Sequence, residues 1–174
     1  MRIAANLIGF QLGWFACVLG AAYGYPIAGP LAVTILLGLH LWLLSCRRTF
    51  GFFLLFAGLL GTAIDTALGL LGLLSFPGSA FPSWLCPPWL TFLWMLFAST
   101  LPLSLNWLTG RPRLAAVAGA LGGPASYYAG AALGALQLAG NSLVSLATLA
   151  VIWGILLPML LHLKSWIGLP ARPA

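Results

Sequence analysis

The chain resolves into six apolar stretches, at approximately residues 3–23, 26–45, 50–74, 89–108, 114–136 and 143–163. Each is close to the roughly 20 residues that carry a helix across a bilayer core about 30 Å thick. No other feature restricts the fold so strongly. Hydrocarbon offers the backbone no hydrogen-bond partners, so runs of this length and composition must satisfy their own N–H and C=O groups as helices. The breaks between them read YGYP, CRRT, SFPGSAFPSWLCPP, TGRPR and QLAGNS, and Gly and Pro mark most of them. The expectation is an all-α, polytopic transmembrane bundle of six helices, forming a single domain over residues 1–174.

Charge supports this. Hydrophobic residues make up 62% of the chain and charged residues 5%, against roughly a quarter charged in a soluble domain. The formal net charge of +6 comes from seven scattered cations. They form no patch of the kind that grips nucleic acid, so no nucleic-acid partner is expected. Arg2 precedes the first stretch, Arg47 and Arg48 follow the second, Arg111 and Arg113 the fourth, and Lys164 and Arg172 the sixth. All seven fall on one side, and the other three breaks carry no charge. The positive-inside rule then puts both termini in the cytoplasm. The first stretch resembles a signal peptide, but Gln11 and Trp14 interrupt its apolar run, and it reads as a retained helix.

Lipid supplies no hydrophobic drive between helices, so small residues at helical spacing should mark packed faces. Gly58, Thr62, Asp65, Gly69 and Gly72 form one such stripe. Gly119, Gly123, Ser126, Gly130 and Gly134 form another, and Asn6, Gly9, Gly13, Ala16 and Gly20 a third. The first, third and fifth helices are therefore expected inside, with the second and fourth facing lipid. Trp42, Trp84, Trp89, Trp107 and Trp166 fall near the predicted interfaces, whereas Trp14, Trp94 and Trp153 lie deeper, to line a cavity or fill space. The break at 75–88 is long and apolar. It either lies on the membrane surface or folds back over the helix ends.

Asp65 is the only acidic residue. At about 1.5 Å rise per residue it lies about 25 Å from the Arg48 end, near the depth of Thr62, Tyr127 and Tyr128. Gln11 falls near mid-membrane, and Asn6, Asn106 and His40 nearer the basic end. No Lys or Arg shares the depth of Asp65, and an unpaired carboxylate there is costly. Asp65 is expected to be neutral at rest or hydrogen-bonded to Tyr127, Tyr128, Gln11 or Thr62, with a water-filled cavity or a cationic ligand beside it as the alternatives. An ionisable group at this depth is a candidate functional residue, with interhelical bonding as the alternative.

A lone carboxylate excludes paired-carboxylate hydrolysis and acidic magnesium clusters. No HExxH, Walker or dinucleotide fingerprint is present. Gly123–Pro124 is expected to kink the fifth helix, not to cradle phosphate. His40 and His162 sit on separate helices, and Cys17, Cys46 and Cys86 have no ligand spacing. No metal site and no cofactor are expected. A bond between Cys17 and Cys86 is left open.

The strings NLIGFQLGWFACVLGAA, RRTFGFFLLFAGLLGTAIDTALGLLGLLSFP, WLTFLWMLFASTLPLSLNWL and LGGPASYYAGAALGAL resemble domain-of-unknown-function family 2878, a group of bacterial inner-membrane proteins. The resemblance runs over nearly the whole chain. Gln11, Trp14, Asp65, Trp94, Asn106, Gly123, Pro124 and Tyr127 match its pattern. It implies no catalytic signature, but it implies a setting near lipid-modifying enzymes. Membrane lipids are thus the expected partners, with lipid-modifying enzymes as further candidates. The foremost expectation is binding or modification of membrane acyl lipids in a groove between the first, third, fourth and fifth helices, with Gln11, Trp14, Thr62, Asp65, Trp94, Asn106, Tyr127 and Tyr128 as candidate ligand-binding residues. Asp65 is the one candidate for catalysis. The alternatives are a small-solute transporter or substrate-capture component, and a non-catalytic scaffold.

Overall fold

The computed structural model describes residues 2–42 and 46–169. Arg172, and the expected end of the second helix at 43–45, lie outside the described residues. Six α-helices are present: α1 (Arg2–Ala22), α2 (Ala28–Trp42), α3 (Arg47–Leu70), α4 (Pro88–Ala98), α5 (Pro112–Ala132) and α6 (Ser142–Trp166). Two short strands, β1 (Leu74–Ser75) and β2 (Gln137–Leu138), pair antiparallel beyond α3 and α5. Three helical segments, Ile3–Ala22, Arg47–Leu70 and Ser142–Trp166, are long and apolar enough to cross a membrane.

The fourth stretch departs most from expectation. Its helix stops at Ala98 instead of reaching Leu108, and the chain continues through turns to a 3-10 turn at Asn106–Leu108. The sequence there is Ser-Thr-Leu-Pro. Pro102 lacks an N–H and clashes with the carbonyl four residues back. The Ser99 hydroxyl donates to the Leu96 carbonyl, and the Thr100 hydroxyl to the Phe97 carbonyl, each at 2.6 Å. These local bonds compete with the helical ladder.

The third stretch ends at Leu70 rather than Leu74. Gly72 adopts φ +68°, and Leu73 N–H reaches the Leu68 carbonyl while Gly72 N–H reaches that of Gly69. The fifth closes in the same way at Gly134 (φ +88°), with Ala135 N–H bonded to the Gly130 carbonyl. Only Gly enters this left-handed region without a Cβ penalty, and the two crossed bonds satisfy the last free carbonyls.

These matching ends belong to a larger match. A step of 62 residues takes Asp65 to Tyr127, Gly61 to Gly123 and Gly72 to Gly134. Gly61 lies under the ring of Trp94 on α4, and Gly123 lies under the ring of Trp153 on α6. The two rings stack on each other, with centroids 4.6 Å apart and planes 12° from parallel. Asp65 bonds Tyr127, and Ser75 pairs with Gln137. The Asp65–Tyr127 and Ser75–Gln137 contacts each join residues 62 positions apart, as a two-fold relation between α3 and α5 would produce.

α3 and α5 are packed as the small-residue stripes suggested, but α4, expected to face lipid, is part of the core as well. α4 packs against α1, α2 and α3, and its Trp94 and Phe97 meet Trp153 of α6. Trp89, Leu90, Trp94, Leu96 and Ala98 are all buried. Leu, Phe and Trp do not mark a lipid face here, because the small residues of α1 and α3 supply the recesses that hold them. Gly13 faces Leu96, and Gly58 faces Met95. Trp89, expected at an interface, is buried. Trp84, Trp107 and Trp166 are exposed.

The segment after β1 folds back onto α3. Phe76 is buried, the Trp84 carbonyl lies against Gly69, and Cys86 N–H reaches Thr66 Oγ1 at 3.3 Å. Cys17, Cys46 and Cys86 are all free thiols. The opposite end of the bundle is tied by side chains. Ser104 Oγ donates to Asn6 Oδ1 at 2.7 Å, and Lys164 Nζ donates to Asn106 Oδ1 at 2.6 Å and Thr109 Oγ1 at 3.2 Å. Lys164 is 2% exposed, so it closes the chain after α4 instead of reaching outward.

Candidate functional site

A cavity of about 460 Å³ lies between α1, α4, α5 and α6. Phe10, Gln11, Trp14 and Val18 form its α1 wall. Trp89 to Phe97 of α4 form the back, with Trp153 and Leu157 of α6 beside them. On α5 the wall runs from Ala118 to Gly130 through Gly119, Gly122, Gly123, Ser126 and Tyr127. Trp107 and Leu108 line the basic end, where Trp107 is 54% exposed. No charged side chain lines it.

The α3 counterparts of Gly122, Ser126 and Gly130 are Leu60, Ile64 and Leu68. Those three side chains pack against the core. On α5 the residues 62 positions on are small, and all three line the cavity. A Cβ added at Gly122 would meet nothing within 4 Å. The α5 stripe thus has two uses. Gly119 and Gly123 admit α6, since a Cβ at either would collide with Trp153, while Gly122, Ser126 and Gly130 form a wall. Sequence spacing alone could not separate them.

Shape follows from the wall. Ala118 to Gly130 spans about 18 Å at about 1.5 Å per residue, so about 460 Å³ corresponds to a mean cross-section of about 25 Å². The cavity is therefore a slot, elongated along the helices. α1 and α5 form its two sides. Trp14 Nε1 donates to Ser126 Oγ at 2.9 Å and bridges them.

Asp65 does not face this slot. It is fully buried and accepts from Trp94 Nε1 at 2.7 Å and Tyr127 Oη at 2.6 Å. Each carboxylate oxygen therefore has one donor, from α4 and α5 respectively. Of the four partners expected from depth, Tyr127 is the one it bonds. Thr62 instead pairs with Thr91 at 2.7 Å and donates to the Gly58 carbonyl. Tyr128 is exposed and Gln11 lies on the cavity wall. The carboxylate sets the rings of Trp94 and Tyr127, and both line the slot.

The structure brings Gln11, Trp14, Trp94, Gly123 and Tyr127 to one cavity. Asn106 sits apart, in the Lys164 cluster, and Pro124 lies within an unbroken α5. Trp153 and Ser126 are the residues that depth and spacing underrated. Trp153 is buried, and its Nε1 has no hydrogen-bond partner among the described residues. Its signal in the sequence was the Gly119/Gly123 pair facing it. Among the described residues no group of three His, Cys, Asp or Glu side chains could hold a metal.

No curated protein and no solved structure matches the chain. A family model described as "Protein of unknown function (DUF2878)" matches residues 3–159 and reaches into all six helices. The chain belongs to the DUF2878 family.

Proposed function

We propose that this is a six-pass protein of the cytoplasmic membrane, with both termini inside, that holds a single lipid hydrocarbon chain in the slot between α1 and α5. The observation that carries the reading is the contrast between the two hairpins. Where α3 carries Leu60, Ile64 and Leu68, α5 carries Gly122, Ser126 and Gly130, and those three small residues line an apolar cavity of about 460 Å³. Ligand sites are typically apolar clefts of about 300–1,000 Å³ with few polar groups, and this one fits that description.

Six passes are supported by the way α4 is completed. α4 is too short to cross alone, but residues 99–102 and 104, after it, are buried among the other elements. Non-helical backbone is tolerated at membrane depth only where protein or a water-filled cavity surrounds it. The Asn6–Ser104 and Lys164–Asn106 bonds hold the start of α1, the end of α6 and the start of α5 at one end, and Arg111 and Arg113 lie there.

In this reading Asp65 is a positioning residue. It fixes two aromatic rings of the wall and takes no part in a bond-making step. The test is native mass spectrometry of protein extracted in mild detergent. Wild type should retain one lipid at near-stoichiometric level. Gly122→Leu, which copies the residue of the other hairpin, should stay folded and lose it. Equal retention by both would overturn the assignment of the slot.

A further inference from the structure

The slot's occupant has a polar end, and the structure bears on which kind. This inference rests on the reading of the slot as a chain site. Moving a hydrocarbon chain from bilayer to protein gains little, because lipid tails are as apolar as the wall. Selectivity must then come from the headgroup. The slot itself offers it no charge. Its two ends differ. At one end Trp107 and Leu108 line the slot, and Arg111 and Arg113 follow within a few residues. Trp107 stands half out of the cavity there. At the other end the segments around Tyr23–Tyr25, Phe76–Cys86 and Gly134–Asn141 carry no ionisable acid or base other than Tyr23, Tyr25 and Cys86. A headgroup leaving by that end meets no cation.

We infer that the ligand is a single-chain anionic lipid, carrying a carboxylate or a phosphate, bound with its headgroup at the Trp107–Arg113 end. Lys164 does not supply the contact directly. Its ammonium is held by Asn106 and Thr109 and fixes the segment that bears Trp107. Arg111 and Arg113 are exposed, so they are available to a headgroup at the interface. Basic residues beside a membrane surface attract anionic groups at short range, and salt screens the attraction. The carboxylate of a free fatty acid and the phosphate of a lysophospholipid share this chemistry.

The experiment uses the whole protein in nanodiscs of phosphatidylcholine. Three probes with brominated chains are titrated: a fatty acid, a lysophosphatidylglycerol and a lysophosphatidylcholine. Bromine quenches the tryptophans of the slot, so quenching reports entry. Binding of at least one anionic probe about tenfold tighter than the zwitterionic one is expected, and which one it is separates the carboxylate from the phosphate source. The double variant Arg111→Gln/Arg113→Gln should lose that preference while still binding lysophosphatidylcholine as wild type does. Arg48→Gln, on α3 away from the slot, should keep it. Equal affinity for all three probes, or a preference that survives the double variant, would overturn the inference. If no probe quenches, or if Gly122→Leu is quenched like wild type, the slot reading itself fails.

Discussion

Replacing Asp65 by Leu removes the acceptor for two buried donors at once. Trp94 Nε1 and Tyr127 Oη each end on one of its oxygens, at 2.7 and 2.6 Å, and the residue is fully buried. Leaving a buried donor unpaired costs about 1–3 kcal/mol. Hydrogen bonds in membrane proteins measure lower, about 0.6 kcal/mol on average, because the unfolded chain in lipid finds other partners. Two donors with no route to water should therefore cost about 2–4 kcal/mol together. Asp65→Asn is the control. Its carbonyl can accept from Trp94 and its amide can donate to the Tyr127 oxygen, so it should stay within about 1 kcal/mol of wild type. The assay is reversible unfolding in mixed detergent micelles, followed by tryptophan fluorescence. Tyr127→Phe in each background completes a double-mutant cycle. Were Asn as damaging as Leu, the node would need a charge or an exchangeable proton and could not be a structural tie. Were Leu harmless, these bonds would not hold α3, α4 and α5 together.

Other outcomes follow from the same geometry. Gly61→Ala puts a methyl group into the Trp94 ring and should destabilise by about 1–3 kcal/mol, whereas Gly122→Ala meets only open space and should be neutral or stabilising by up to about 1 kcal/mol; thermal melts of the pair check this. Lys164→Met leaves the Asn106 carbonyl oxygen without its ammonium donor, at a cost of about 1–3 kcal/mol, and hydrogen exchange should rise in residues 99–109 before anywhere else. For topology, a cysteine at Ser83 should react with an impermeant thiol reagent in intact cells, and one at Arg113 only after lysis; the reverse pattern would invert the proposed orientation.

The helices were legible in the sequence because apolar runs of membrane length allow only one backbone solution. Their ends were less so. Ser99 and Thr100 look like ordinary small residues in an apolar run, and only their bonds to the Leu96 and Phe97 carbonyls, with Pro102 beyond, show that α4 must stop. The placement of α4 was hidden for a different reason. Hydropathy cannot tell a lipid-facing Trp from a buried one, because both environments are apolar. Asp65 was found by its isolation and Tyr127 by its depth, but the groove expected between the first, third, fourth and fifth helices lies between α1, α4, α5 and α6 instead. A stripe of glycines reads the same whether it admits a neighbouring helix, as Gly123 admits Trp153, or stands open, as Gly122 does. What separated them was the other hairpin, whose Leu60, Ile64 and Leu68 show the filled form of the same unit.

Whether a lipid chain occupies the slot is read out by photo-crosslinking. A fatty acid carrying a diazirine along its chain is irradiated with the protein in membranes, and the labelled residues are mapped by peptide mass spectrometry. Labels should concentrate on the slot walls, at Phe10 to Val18, Leu93 to Phe97 and Ala118 to Gly130, and should vanish from those segments in Gly122→Leu. Labels confined to the outer faces, at residues such as Leu31, Ile35, Val151 and Ile155, would mean that lipid only surrounds the bundle, and would contradict the account.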